Sequence, residues 1–173
     1  GLTAVRGVKE MIQACDRVGV GLLLAGEFDN TEYFNQIKAM PEWENVDFLG
    51  YVPNAEVGEK VYKQASVGLV LLHKAPNHTH SIPIKVFEYM QAGLPVIASR
   101  EVLFCKQVTE EENCGLVVDP LNIDEVAQAI RIITSDSELA KQMSANAKQA
   151  SADKYNWLSQ EKSLLEFYQS LFD

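Results

Sequence analysis

Cysteines are few in this 173-residue sequence. The three present, Cys15, Cys105 and Cys114, match no metal-binding spacing and leave an odd count. This pattern indicates free thiols in a reducing compartment, so we expect a cytoplasmic protein whose cysteines act as small buried apolar residues. Long apolar runs are also lacking, because none approaches the roughly 20 residues of a membrane-spanning helix. Contact of the full protein with a membrane surface is left open.

Positive charge is scarce as well. Lysine and arginine total 15 against 24 acidic residues, which gives a formal net charge of −9. Proteins that bind nucleic acid in general rely on clustered lysine and arginine to displace phosphate counterions. We therefore expect no nucleic-acid partner, although a locally basic pocket for one phosphate ligand remains compatible with the composition.

Short apolar runs alternate with longer amphipathic stretches. The runs at 21–25, 46–49, 67–72, 95–99 and 115–118 are predicted as buried strands. Helices are predicted over 7–18, 31–40, 55–64 and 84–91, with 102–112 partly helical and everything after Val118 helical. This order predicts a Rossmann-like, doubly wound parallel sheet with helices on both faces and a helical C-terminal region.

The two ends of the sequence carry further expectations. A doubly wound domain normally opens with a strand, whereas residues 1–3 lead directly into a helix. We therefore expect residues 1–173 to form a single domain whose first strand lies upstream of Gly1. The last predicted helix, 157–172, carries an apolar stripe that we expect to pack partly on this domain and partly against a further one. Its members are Trp157, Leu164, Leu165, Tyr168, Leu171 and Phe172.

The segment 81–97 is the most informative for chemistry. A helix is predicted to begin near Pro83 and to end at Gly93. Lys85 and Glu88 would share one face near the positive end of its dipole, where a phosphate is favoured and the carboxylate can accept hydrogen bonds from a ribose diol. From these residues alone, a solvated Lys–Glu pair on an ordinary helix remains the simpler explanation.

Six segments that occur in the same order as in a known family favour the donor-site interpretation over the solvated ion pair. The segment 81–97 resembles the donor-site signature of GT-B glycosyltransferases, particularly the family 4 or group 1 type. The other five, in chain order, are 6–14, 24–27, 46–52, 114–120 and 155–157. The resemblance covers nearly the whole chain, and it is to the C-terminal, donor-binding domain of these enzymes.

This resemblance implies a hexosyltransferase-type enzyme that moves a sugar from a nucleoside diphosphate sugar to an acceptor hydroxyl. The acceptor would bind a missing N-terminal domain, so the isolated chain is expected to be inactive. No metal and no cofactor are implied. Donor-binding roles fall on Arg6 at the diphosphate, Tyr51 and Val52 at the base, Ser81 and Lys85 at the sugar and phosphates, and Glu88 at the ribose.

One departure concerns His80, which stands where the family often has the first glutamate of an E-x₇-E pattern. We expect His80 to contact the sugar, and no catalytic residue is assigned. Pro83 lacks the N–H that a glycine there would offer a phosphate. His73, His78 and His80 share one loop without nearby cysteines or regularly spaced acids, so no metal site is expected. The alternatives are a GT-B-type nucleotide-sugar epimerase and a non-catalytic module that binds a nucleotide or a partner.

Overall fold

The computed structural model describes residues 1–172, and within them it contains five strands and nine α-helices. The strands are β1 (Leu22–Ala25), β2 (Val46–Gly50), β3 (Gly68–Val70), β4 (Val96–Ser99) and β5 (Gly115–Val118). All ladders between them are parallel, as predicted. The predicted strand at 67–72 is shorter than expected, because Leu71 and Leu72 are buried but lie beyond the end of β3.

The strands form two ladders, in the orders β1-β2 and β3-β4-β5. Among residues 1–172, no ladder joins β1 to β3. Residues 2–5 connect the two at their carboxyl ends. The Leu2 N–H donates to the Glu27 carbonyl at 2.6 Å, and the His73 N–H donates to the Val5 carbonyl at 2.9 Å.

The helices agree closely with the prediction. They are α1 (Val8–Val18), α2 (Thr31–Lys38), α3 (Asn54–Lys60), α4 (Pro76–Thr79), α5 (Ile84–Ala92), α6 (Leu103–Glu111), α7 (Ile123–Ser135), α8 (Ser137–Asp153) and α9 (Trp157–Gln169). The predicted helix at 55–64 is interrupted after Lys60 and continues as a 3₁₀ turn, Tyr62–Gln64. Among residues 1–172, no helix is long and apolar enough to cross a membrane.

Side chains on alternate strand positions enter two separate apolar clusters. Leu71 and Ile97 lie in one cluster with α1 and α7, whereas Val70, Val96 and Ala98 lie in the other with α5, α6 and α8. Because successive residues of a strand point to opposite faces, this division confirms helices on both sides of the strands.

All three cysteines are free and buried in these clusters. Burial raises the pKa of the Cys15 thiol to about 11, that of Cys105 to about 12 and that of Cys114 to about 11. The thiolate is the reactive form, so these groups are inert at neutral pH. The prediction of buried, unpaired cysteines is confirmed.

The expectation for the C-terminal stripe is wrong in one respect. None of its side chains is buried, and their exposed fractions run from 46% at Leu164 to 88% at Phe172. The first turn of α9 is tied to the end of α8, for example by the Ser159 hydroxyl donating to the Asp153 carbonyl at 2.9 Å. No residue of α9 belongs to either apolar cluster within the described residues.

Candidate functional site

Helix α5 carries the first candidate site residues, Lys85 and Glu88. It begins after Pro83, and no side chain caps its first turn. Gly93 ends it in the left-handed conformation, with its N–H donating to the Met90 carbonyl. Lys85 therefore lies in the first turn and Glu88 one turn later on the same face, as the sequence predicts.

Lys85, Glu88 and Tyr62 form a hydrogen-bonded cluster. The Lys85 Nζ lies 2.6 Å from Glu88 Oε2, and the Tyr62 hydroxyl donates to the same oxygen at 2.9 Å. The Glu88 side chain is 37% exposed, and its Oε1 has no hydrogen-bond partner among residues 1–172. A carboxylate can accept about four hydrogen bonds, so Glu88 is held in place and keeps capacity for a ligand.

Tyr62 is a candidate site residue that the sequence did not reveal. Burial, followed by its hydrogen bond to the Glu88 carboxylate, raises the pKa of its phenol well above the usual value, so it remains a donor at neutral pH. Its ring meets Tyr89 edge-on at 5.7 Å. Tyr89 in turn packs over Gly68, where a Cβ would lie only 2.3 Å from the Tyr89 ring. The link from Tyr62 to Glu88 spans 26 residues and exists only in the folded chain.

A cavity of about 270 Å³ lies beside this cluster. It is lined by Glu88, Tyr62, Asn54, Val57, Gly58, Gln91 and Ala92. This volume is just below the range of roughly 300–1,000 Å³ typical of pockets for drug-sized molecules. It therefore has room for a small polar group, with Glu88 in its wall.

Two basic side chains line a second, larger cavity. Arg6 and Lys85 both line this space of about 510 Å³, together with Pro83. Arg6 makes no salt bridge within the described residues, and it precedes Gly7, whose φ of +73° turns the chain into α1. An anion at this edge would find two positive side chains and the uncapped first turn of α5.

The remaining predicted site residues lie outside both cavities. Tyr51 and Val52 follow β2, and the Tyr51 side chain is 68% exposed. Ser81 donates its hydroxyl to the His78 carbonyl at 2.8 Å, and His80 is exposed in the same loop. The structure thus pairs Lys85 with Glu88 and places Arg6 and Lys85 on the wall of one cavity, whereas these four residues line neither cavity.

The other two loop histidines make local contacts. His73 Nε2 lies 3.2 Å from the Glu10 carboxylate of α1, and His78 Nδ1 lies 3.1 Å from the His73 carbonyl. Over residues 1–172, no group of three or more His, Cys, Asp or Glu side chains is arranged to hold a metal ion.

Known sequences that resemble this chain are glycosyltransferases. The family model for glycosyl transferases group 1 matches residues 2–150. The chain is 28% identical over 172 residues to the uncharacterized glycosyltransferase MJ1607 of Methanocaldococcus jannaschii, which covers 96% of this chain and 42% of that protein. It is 26% identical over 107 residues to an uncharacterized glycosyltransferase of Haemophilus influenzae, covering 62% of this chain and 29% of that protein. The chain therefore spans less than half the length of these relatives.

Solved structures confirm the fold. Sucrose-phosphate synthase from Thermosynechococcus elongatus superposes with a TM-score of 0.81 at 23% identity, covering 98% of this chain and 43% of that one. Anabaena Alr3699/HepE in complex with UDP superposes with a TM-score of 0.83 at 19% identity, and the match covers 98% of this chain and 46% of that one. The C-terminal domain of a glycosyl transferase group 1 family protein (LpcC) from Francisella tularensis superposes with a TM-score of 0.73 at 16% identity. That match covers 90% of this chain and 83% of the other. With the fold of these enzymes and a family match over most of its length, the chain belongs to the glycosyl transferases group 1 family.

Proposed function

We propose that this chain holds the nucleoside diphosphate sugar donor of a glycosyltransferase that moves a sugar to an acceptor hydroxyl. The observation that carries this proposal is the position of Glu88, fixed by Lys85 and Tyr62 in a cavity wall with one carboxylate oxygen unused. Support also comes from Anabaena Alr3699/HepE, of similar fold, which has been solved in complex with UDP-glucose.

In this proposal the site divides the donor between its two cavities. Glu88 accepts hydrogen bonds from the ribose hydroxyls in the smaller one. Arg6 and Lys85, at the edge of the larger one, lie beside the diphosphate. Positive groups fixed in advance stabilise the charge that develops on the leaving diphosphate as the bond to the sugar breaks.

The rest of the enzyme belongs to the same proposal. The acceptor binds a separate N-terminal domain, and the reaction takes place in the cleft between the two. Support comes from the relatives, which are more than twice as long as the stretch that matches this chain. A cytoplasmic location is proposed on the basis of the three free, buried thiols.

A thermal-shift screen followed by calorimetry tests the donor site. UDP, GDP, ADP and their sugars are each added to the purified chain at concentrations up to the millimolar range. A ligand that binds only the native state stabilises it by about 2.7 kcal/mol at one hundred times its Kd. We expect one nucleotide series to raise the melting temperature. If none of the three series does, the proposed donor site is wrong.

We predict that EDTA leaves nucleotide binding unchanged. The reason is that Arg6 and Lys85 supply positive charge at the phosphate edge without carboxylate ligands for a cation. Calorimetric titrations of the preferred nucleotide with and without the chelator give the two values of Kd. Added Mg²⁺ serves as the positive control. A tenfold loss of affinity in EDTA that Mg²⁺ restores contradicts the prediction.

We predict that His80→Ala weakens binding of the nucleotide sugar but not of the bare nucleoside diphosphate. The exposed imidazole lies in the loop before α5, outside both cavities, and the proposal assigns it to the sugar on the basis of its position in the motif. Loss of one neutral hydrogen bond of roughly 1 kcal/mol corresponds to about a fivefold weaker Kd. Asn77→Ala, at an exposed position of α4 just before this loop, is the control. Equal losses for both ligands would rule out a sugar contact.

We predict that the purified chain transfers no sugar to any acceptor. The segments that resemble the family resemble its donor-binding half, and the acceptor site is proposed to lie elsewhere. Incubation with a radiolabelled nucleotide sugar and a panel of acceptor alcohols measures transfer directly. Transfer above the rate without protein would show that this chain contains a complete acceptor site.

A further inference from the structure

All three histidines of this chain lie between β3 and α5, in residues 73–83, which we call the histidine loop. The proposed donor site uses only His80. His73 opens the loop directly after a buried apolar stretch, and His78 lies on its one short helix, α4. The loop ends at Pro83, which lines the larger cavity. Contacts that fix the loop therefore also fix part of the wall of that cavity.

The His73 ring contacts helix α1 through a buried carboxylate. Its Nε2 lies 3.2 Å from Glu10 Oε2, and the two side chains are 20% and 13% exposed. Both atoms are shielded from water, and neither has a second partner among residues 1–172. An ionised carboxylate oxygen only accepts hydrogen bonds, so the ring nitrogen that faces it carries a proton. Glu10 therefore holds the His73 ring as an N–H donor at the root of the loop.

The backbone of His73 makes two further contacts. Its N–H donates to the Val5 carbonyl at 2.9 Å, and Arg6 is the next residue along that segment. Its carbonyl lies 3.1 Å from Nδ1 of the His78 ring. A carbonyl oxygen has no proton to give, so the His78 ring carries its proton on Nδ1 and donates it to this oxygen. His73 thus joins α1, the segment that carries Arg6, and α4.

Helix α4 depends on side-chain contacts of this kind. It contains only four residues, Pro76–Thr79, and a single helical turn is not stable through its own backbone bonds. The Ser81 hydroxyl and N–H both donate to the His78 carbonyl, at 2.8 and 3.0 Å. Contacts therefore run from His73 through His78 to Ser81, close to the start of α5.

We infer that His73 and His78 are positioning residues, whose ring N–H groups clasp the histidine loop in the conformation in which Pro83 lines the larger cavity. The consequence for binding rests on the proposed function, in which this loop lies beside the sugar of the donor. The clasp then sets the affinity for the sugar half of the ligand and not for the nucleoside diphosphate. The clasp itself does not depend on that function.

Nuclear magnetic resonance of the ring nitrogens tests the clasp in the full-length protein without nucleotide. Long-range nitrogen–proton correlation spectra, recorded above the usual titration range of imidazole, show which nitrogen of each ring carries the proton. We expect a proton on Nε2 of His73 and on Nδ1 of His78. An unprotonated nitrogen at either place, or rapid averaging between the two tautomers, would overturn the inference.

Amide side chains provide a matched set of variants. The amide nitrogen of asparagine can occupy the place of histidine Nδ1, and that of glutamine the place of Nε2. His78→Asn should therefore keep the clasp, whereas His78→Gln and His78→Ala should lose it. Loss of the bond should speed amide exchange in the histidine loop about fivefold. Equal exchange rates in the asparagine and glutamine variants would refute the clasp.

The order of the two amides reverses at the root of the loop. His73→Gln should keep the contact with Glu10, and His73→Asn should lose it, because Nε2 is the nitrogen that faces the carboxylate. The same order at both positions would contradict the inference. If the variants at position 73 do not fold, those at the more peripheral position 78 decide.

Binding measurements separate positioning of the sugar from a purely structural role. The ligands are whichever of UDP, GDP or ADP raises the melting temperature, and its glucose conjugate. By calorimetry, we expect His78→Ala to weaken binding of the conjugate about fivefold and to change that of the bare diphosphate less than about twofold. Equal losses for both ligands, or none, would refute the positioning role. If the parent binds neither ligand, the proposed function is wrong, and the spectra and exchange rates still decide the clasp.

Discussion

Glu88→Ala weakens binding of the preferred nucleoside diphosphate about ten- to a hundredfold, if the proposed donor site is correct. The substitution removes one or two hydrogen bonds from the ribose hydroxyls to a carboxylate, each worth roughly 1.5–3 kcal/mol. A tenfold change in Kd corresponds to about 1.4 kcal/mol. Because the Glu88 side chain is 37% exposed, water screens part of this energy and the lower end of the range is expected. Calorimetry gives the Kd of each folded variant.

A matched control separates ligand binding from helix stability. Glu138 forms the same kind of exposed pair with Lys141, three residues apart on α8 and outside both cavities. Glu138→Ala should therefore leave nucleotide affinity unchanged while removing a comparable ion pair. Tyr62→Phe, which deletes the hydroxyl that holds Glu88 Oε2, should give an intermediate loss. If folded Glu88→Ala binds as tightly as the parent, Glu88 does not contact the ribose.

Gly7→Ala should lower the free energy of unfolding by about 2–5 kcal/mol. Gly7 has φ of +73°, a conformation that costs other residues roughly 1–2 kcal/mol. A Cβ at this position would also lie 2.3 Å from the Leu71 carbonyl oxygen, which is backbone and cannot rotate away. Overpacking of this kind adds about 1–3 kcal/mol. Urea denaturation followed by circular dichroism measures the difference.

Gly19→Ala supplies the control for the backbone conformation alone. Gly19 ends α1 with φ of +77°, and nothing lies within 4 Å of a Cβ built there. Its replacement should therefore cost only the roughly 1–2 kcal/mol of the left-handed conformation. Equal losses for the two variants would show that the approach of Gly7 to Leu71 relaxes without cost.

Local patterns were sufficient to predict most elements of this fold. The apolar runs indicated all five strands, and the stretch after Val118 is helical as predicted, with Asn122 and Asp136 capping α7 and α8. The pairing of Lys85 with Glu88 also followed from their spacing on one helix. These features depend on neighbours within a few residues, which a sequence shows directly.

Contacts between distant parts of the chain were not predictable in this way. The bond from Tyr62 to Glu88 joins residues 26 positions apart, and periodicity indicated neither this bond nor the break in the helix after Lys60. The exposure of α9 was missed because an apolar stripe shows only that a helix has something to bury, not which surface receives it. The roles of Tyr51, Val52, Ser81 and His80 rest on motif position and remain predictions.

The buried cysteines have a practical consequence for spectroscopy. At neutral pH their thiols are both shielded and protonated, so maleimide dyes should leave Cys15, Cys105 and Cys114 unmodified. A single cysteine introduced at an exposed position such as Lys74 would then be the one labelled site in this chain. Fluorophores could report the distance from this domain to the rest of the enzyme without first removing any native cysteine from it.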